Sequence, residues 1–195
     1  MLAVTNVDQH AESMPAGNDG AGDGVAEVRV RRLHEDDWQE LRPVRLEALQ
    51  EAPMAFGSTY AREVAFTEAD WRGRLGRTSV MFLAYGPDPD LPPIGMAGGY
   101  QPDWTPGAIE LVGMWVRPSA RGQRVGDPLV EAVVGWAGEV GAADVRLWLA
   151  EGNTSAQRLY ARLGFVETGE RQPLPHDETR TEIGMIRPAA PNPSA

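Results

Sequence analysis

Three stretches of the chain place chemically able residues where the backbone would aim them. The first is Trp115-Val-Arg-Pro-Ser-Ala-Arg-Gly-Gln-Arg-Val-Gly126, a strand end that runs into a helix through an arginine- and glycine-rich loop. The first amides of a helix lack intrahelical partners, and the helix dipole adds partial positive charge there. Gly122 and Gly126 let a ligand's phosphates approach the backbone. Arg121 and Arg124 add charge-assisted contacts. Pro128, in the first turn, lacks an N–H that would be unpaired anyway. The loop reads as an anion cradle. A plain strand-to-helix connection with solvated arginines fits the same residues. The second stretch runs from Asn153 to Phe165. Ala156, Leu159, Tyr160 and Leu163 share one helix face, so Tyr160 reads as core or as a hydroxyl held at a site. Asn153, taken alone, reads as a turn residue. The third is Glu110, an acid in the otherwise apolar run Ile109–Val116. Burial there would raise its pKa and suit it to general-base work. A strand-end acid facing solvent is the plain alternative. Glu151 is a second candidate base.

Composition removes many other chemistries. The 195 residues include no cysteine and no lysine. Disulfides, thiolate metal sites, a cysteine nucleophile, a Schiff-base lysine and a P-loop lysine are therefore excluded. The net charge of −10 argues against a nucleic-acid partner, which needs a basic footprint, and is compatible with cationic substrates such as amines. His10, His34 and His176 are isolated, and no HExxH motif or nucleophile elbow is present, so no metal is expected. Apolar runs are far shorter than the ~18 residues of a membrane span. With no apolar leader visible, the expectation is a cytoplasmic protein with no membrane partner. A homodimer is left open.

The elements that would position these residues follow from periodicity. Residues 1–26 are glycine-rich and acidic, with four acids and no base, and read as a tail. Residues 188–195 read as a loose end, leaving 27–187 as one domain. Val28–Leu33 alternates as a strand. Asp37-Trp-Gln-Glu40 resembles a capping box for a helix to about Glu51, with Pro43 expected to kink or divide it. Thr67-Glu-Ala-Asp70 opens a second helix. Val80–Tyr85, Ile94–Tyr100 and Ala108–Val116 read as strands, 127–140 as a helix, and Val145–Ala150 as a strand. Thr154–Leu163 reads as a helix capped by Thr154 and Gln157. Two strands around the loop Pro173–His176 complete the order. The strand–helix–strand unit from 108 to 150 implies one parallel pair with a right-handed crossover. The fold class is α/β: a mixed, largely antiparallel sheet with helices on both faces.

The two motif blocks, in this order and spacing, resemble the GNAT superfamily of acetyl-CoA-dependent N-acetyltransferases. The first is similar to the family's pyrophosphate loop, with Arg121, Gly122 and Gly126 matching. Arg124 stands where a glycine is usual, and an arginine is strained at any left-handed φ. The second is similar to the Asn-x-x-Ala-x-x-Leu-Tyr-x-x-x-Gly-Phe block. Weaker matches are Pro53-Met-Ala-Phe-Gly57 and Gly184-Met185. The resemblance implies a GNAT-like fold and acetyl-CoA as co-substrate. It implies cofactor contacts from Arg121, Gly122, Gln123, Arg124, Val125, Gly126 and Asn153. It implies oxyanion contacts from the backbone at Met114, Trp115 and Val116. It places Tyr160 near the coenzyme A sulfur, as general acid to the departing thiolate, and Glu110 as base. The expected acceptor is a primary amine of a small molecule or peptide, attacking directly in a ternary complex. The other readings are an acyl-CoA-binding module without catalysis and a transferase for longer acyl chains or an oxygen acceptor. Trp104 is expected near the substrate.

Overall fold

A computed structural model describes residues 28–174 and 177–190. The expected tail at 1–26 and His176 lie outside these residues. Apolar runs set the centre of the sheet. Strand β2, Ser79–Tyr85, is buried at six of its seven positions, so it must be covered on both faces. It pairs antiparallel with β1, Arg29–Arg32, on one side and with β3, Gly95–Tyr100, on the other. Then follow β4, Ala108–Val116, and β5, Asp144–Ala150, paired in parallel. Beyond them β7, Asp177–Pro188, separates β5 from β6, Val166–Leu174. The order is β1-β2-β3-β4-β5-β7-β6, with every other pairing antiparallel.

Helices cover the two faces unequally. Helix α1 is Trp38–Glu51, α2 is Tyr60–Glu63, α3 is Glu68–Gly73, α4 is Gly126–Glu139 and α5 is Thr154–Arg162. One face packs on α4, where Leu129, Val130, Val133 and Val134 are fully buried. Each such side chain contributes roughly 1.5–3 kcal/mol. The other face packs on α1 and α3 through Leu41, Leu49 and Trp71. That second layer covers β2, β3 and the end of β4 but leaves β5, β7 and β6 open on that face.

The expected mixed sheet, with its single parallel pair, is what forms. Local details differ. Pro43 does not divide α1, which runs unbroken through it. The capping bond forms one turn earlier, where the Asp37 carboxylate accepts the His34 N–H at 2.8 Å. Glu40 instead meets Arg31 and the Tyr85 hydroxyl. Helix α5 is capped by Asn153, whose Oδ1 accepts the Ala156 N–H at 3.2 Å. The expected partner, Gln157, binds Glu167. The short α2 has no counterpart in the sequence reading. At the C-terminus, Ala189 N–H donates to Ala143, and Ala190 still packs on the core. Residues 188–190 of the expected loose end are thus packed, and 191–195 lie outside the described residues.

Candidate active site

The parallel pairing of β4 and β5 lasts only from Ala108–Asp144 to Glu110–Arg146. Beyond it the strands part, because β4 carries one extra residue. The register with β3 shifts between Met96 and Gly98, and Gly113 sits there at φ +65°. A left-handed residue at a bulge favours glycine. The bulge also reverses the alternation of faces. Ile109 and Leu111 point at α4, whereas beyond Gly113 it is Met114 and Val116 that do so.

The parted strands open a cleft of about 410 Å³ that reaches both sides of the sheet. Asn153, Ala156 and Tyr160 of the α5 segment line one side. Arg45, Ser58, Arg74 and Tyr100 line the other. Glu110, Gly113 and Met114 line the strand between them. Glu110 and Tyr160, expected as base and acid, thus share one cleft.

Glu110 is half-buried. Burial raises its pKa above the usual carboxylate range; the Tyr100 hydroxyl pulls it part of the way back, and the charge of Glu182 pushes it up again. Tyr160 is almost wholly buried, with its ring edge-on to Phe165 at 5.5 Å. Burial raises its pKa, so the hydroxyl stays protonated at neutral pH. It makes no hydrogen bond among the described residues, and the cleft is the space it faces.

Of the three residues expected to supply oxyanion amides, the structure separates one. Arg117 N–H donates to Ile94 O at 2.8 Å. In an antiparallel ladder, amides alternate in direction, so Trp115 also points at β3, while Met114 and Val116 point away from it, toward the parting. The Trp115 side chain is buried against α1 and donates to Glu51 at 2.9 Å. Trp115 therefore packs in the α1 layer, and neither its amide nor its indole is aimed at the parting. The neighbouring alternation was readable only once the bulge was known.

The loop before α4 keeps the features of an anion cradle. The amides of Gly122, Gln123, Arg124, Val125 and Gly126 find no carbonyl partner in hydrogen-bonding geometry among the described residues. Arg121 and Asp127, on either side, do. Adjacent amides with no well-formed backbone bond at a helix N-terminus fit a pyrophosphate. Gly122 and Arg124 both lie at positive φ, +79° and +59°. The side chains divide the work differently from expectation. Arg121 donates Nη2 to Glu51 at 2.6 Å and Nε to Val116 O at 3.0 Å, so it ties the loop to α1 and β4. Gln123 donates to Ser119 O. The Val125 side chain is core, and only its backbone is free. Gly126 lets α4 approach closely: a Cβ there would stand 2.9 Å from Met114 Cε and 3.0 Å from Leu159.

A second hollow of about 400 Å³ adjoins the cleft on the open face and shares Glu110, Trp148 and Gln172 with it. Trp104 lines it, 73% exposed and edge-on to Tyr100 at 6.2 Å. Glu151 lines neither space and pairs loosely with Arg171 at 3.9 Å. No group of three or more metal-binding side chains occurs among the described residues. No helix there is long and apolar enough to cross a membrane.

Comparison with known proteins agrees with this geometry. The model of the acetyltransferase (GNAT) family matches residues 30–165. The chain belongs to the GNAT acetyltransferase family. It is an acyltransferase, of a family whose usual acyl donor is acetyl-CoA. A GNAT-family acetyltransferase from Streptococcus pneumoniae is 18% identical, with a TM-score of 0.66, covering 84% of this chain and 100% of that one. A GCN5-related N-acetyltransferase from Kribbella flavida is 26% identical, with a TM-score of 0.60 over 83% and 97%. The ribosomal-protein-S18-alanine N-acetyltransferase from Escherichia coli is 17% identical, with a TM-score of 0.59 over 84% and 95%. A comparison with curated proteins gave no match.

The left-handed arginine in this GNAT loop gives a measurable expectation. An L-residue at φ +59° carries strain of about 1 kcal/mol that glycine avoids. Arg124→Ala and Arg124→Gly lose the same guanidinium and differ only in that strain. The glycine variant should be the more stable of the two by about 1 kcal/mol in urea denaturation. Equal midpoints would mean that the loop relaxes out of the left-handed region.

Proposed function

We propose that this acetyltransferase moves an acetyl group from acetyl-CoA to a primary amine by direct attack in a ternary complex. One observation carries the reading: the β4–β5 parting puts a half-buried carboxylate with a raised pKa and a buried, unbonded tyrosine hydroxyl on one cleft. The amides before α4 that have no well-formed backbone bond would hold the pyrophosphate. Asn153 would contact the cofactor arm through its side-chain NH₂, since its Oδ1 caps α5. The amides of Met114 and Val116 would receive the thioester oxygen as it gains charge.

In this reading the amine lone pair attacks the thioester carbon, the C=O π pair moves onto oxygen, and its return breaks the C–S bond and expels the thiolate. An alkylamine has a pKa of ~10 and must lose a proton to react. Glu110 takes that proton, directly or through one water. Tyr160 gives its proton to the departing thiolate sulfur. Solvent returns both groups to their starting states. With no cysteine in the chain, no acetyl-cysteine forms.

The test joins binding and turnover. Acetyl-CoA should bind in calorimetry and raise Tm. Release of free thiol should require both acetyl-CoA and an amine from a panel of amino acids, small monoamines, polyamines and peptides. Failure of acetyl-CoA to bind would sink the reading.

A further inference from the structure

The α1 side of the cleft holds a charge cluster that the acetyl-transfer chemistry does not use. Arg45 of α1 grips Glu63 of α2 with two donors, Nε at 3.0 Å and Nη2 at 2.8 Å. Arg74, just after α3, reaches the same carboxylate at 2.9 Å. Glu63 is fully buried and Arg45 is 6% exposed. One carboxylate thus faces two guanidiniums, a local excess of positive charge on one wall of a cleft that Glu110 and Glu182 line elsewhere. A single arginine would have sufficed to neutralise Glu63. Arg45 is buried and Arg74 is 33% exposed, and among the described residues neither has a carboxylate partner other than Glu63.

Donors of the cluster line the same cleft. Both bonds from Arg45 to Glu63 leave Nη1 spare. That nitrogen lies 3.7 Å from where a Cβ on Gly113 would stand, so it reaches the bulge where the strands part. Gly113 has no side chain to fill the gap. The Ser58 hydroxyl, buried on the same wall, lies beside Glu63 and helps lower its pKa, without a well-formed hydrogen bond. The ring of Phe56 stacks beneath the Arg45 guanidinium at 4.5 Å and fixes its plane. A rigid guanidinium edge beside a free hydroxyl is the donor set that a carboxylate accepts.

We infer that Arg45 Nη1 and Ser58 bind a carboxylate carried by the acceptor, so that the substrate class is an amine with a carboxylate close to it, the α-amino acids being the simplest. This rests on the proposed acetyl transfer. An α-amino acid anchored at the Gly113 bulge presents its nitrogen beside the strand whose Met114 and Val116 amides face the parting. Glu110 stands three residues earlier on β4, roughly 10 Å of extended chain away. That leaves room for the amine and one bridging water. The surplus cation is then neutralised by the substrate itself. Charge complementarity of this kind also rejects diamines, whose second cation would meet Arg45 and Arg74.

The test uses free amino acids, the matching amino-acid amides and simple monoamines, each with acetyl-CoA. An amide keeps the amine and the side chain but removes the negative charge. At least one free acid should be acetylated with a kcat/KM roughly 10- to 100-fold above its amide, the worth of a charged hydrogen bond. Ser58→Ala should narrow that ratio with Tm nearly unchanged. Equal or better turnover of the amides, turnover of monoamines or diamines alone, or a ratio untouched by Ser58→Ala would each overturn the inference while leaving acetyl transfer intact. A further arm offers succinyl-CoA with a monoamine. Preference for it over acetyl-CoA would assign the carboxylate to the acyl donor and overturn the acceptor assignment. Failure of acetyl-CoA to bind would instead remove the proposed function beneath it.

Discussion

Replacing Tyr160 by Phe is expected to cut turnover about 10²–10⁴-fold, the usual scale for a positioned general acid. The ring, its volume and its edge-on contact with Phe165 all survive. Only the hydroxyl is lost, and that hydroxyl has no hydrogen-bond partner among the described residues. Tm should therefore hold near the wild-type value. Acetyl-CoA affinity should also hold, because the proton is needed only as the C–S bond breaks. Burial keeps Tyr160 protonated above its ordinary range, so its own titration should not appear in the rate profile near neutrality. The leaving thiolate has a reference pKa of ~8.5. Water protonates it more easily as pH falls, so the deficit of the variant should shrink toward acid pH. Wild-type kcat in a folded Tyr160→Phe protein would return Tyr160 to the core.

The place of Tyr160 on the cleft was legible because a local helical pattern and a family motif agreed on it. The α4 helix and the 108–150 unit were legible for the same reason: each is one strong period bounded by glycine and proline. What stayed hidden depended on contacts distant in sequence. Arg45 and Glu63 stand eighteen residues apart, one on a helix that the sequence showed and the other on a short helix that it did not, and nothing local couples them. The opening of the cleft turns on Gly113, one glycine in an apolar run that reads as an unbroken strand. Its bulge shifts the alternation, so the sequence reading could treat Trp115 as equivalent to its neighbours when its amide and its indole both point elsewhere. The capping errors share a cause. Asp37, Asn153 and Thr154 are all competent caps, and the choice among them was made by tertiary partners: Arg31 for Asp37, and Glu167 for Gln157.

Arg121 has tertiary partners that its place in the loop did not suggest. Its charge suits phosphate, yet Glu51 takes its guanidinium and lies well below the usual carboxylate range because Arg121 and Trp115 both donate to it. Glu51 is the last residue of α1, and Arg45 lies earlier on the same helix. Helix α1 thus touches both the cradle on one side of the parting and the charge cluster on the other.

Glu110→Gln should lower kcat/KM about 10²–10⁴-fold near neutral pH, the range for loss of a general base. Its pH dependence separates chemistry from packing. Wild-type activity should rise with pH as Glu110 ionises, at a value above the ordinary carboxylate range, because burial, opposed by Tyr100 and aided by Glu182, disfavours the charge. The variant should recover as pH approaches the amine's own pKa of ~10, where the acceptor deprotonates without help. Stability should move the other way. A carboxylate whose folded pKa is raised binds its proton more tightly in the folded state than in the unfolded one. Stability is then full below the unfolded value of ~4.3 and falls as pH rises through the folded value. Glutamine never ionises, so the variant escapes that loss. Its Tm should match or exceed wild type at pH 8, and the advantage should vanish below about pH 4. A variant that loses activity and gains stability at the same pH marks Glu110 as a group held against its own solvation for the sake of the reaction. Unchanged kcat/KM across pH 6–8 would make it a plain strand acid, and a fall in Tm at pH 8 would show that its charge was stabilising the fold after all.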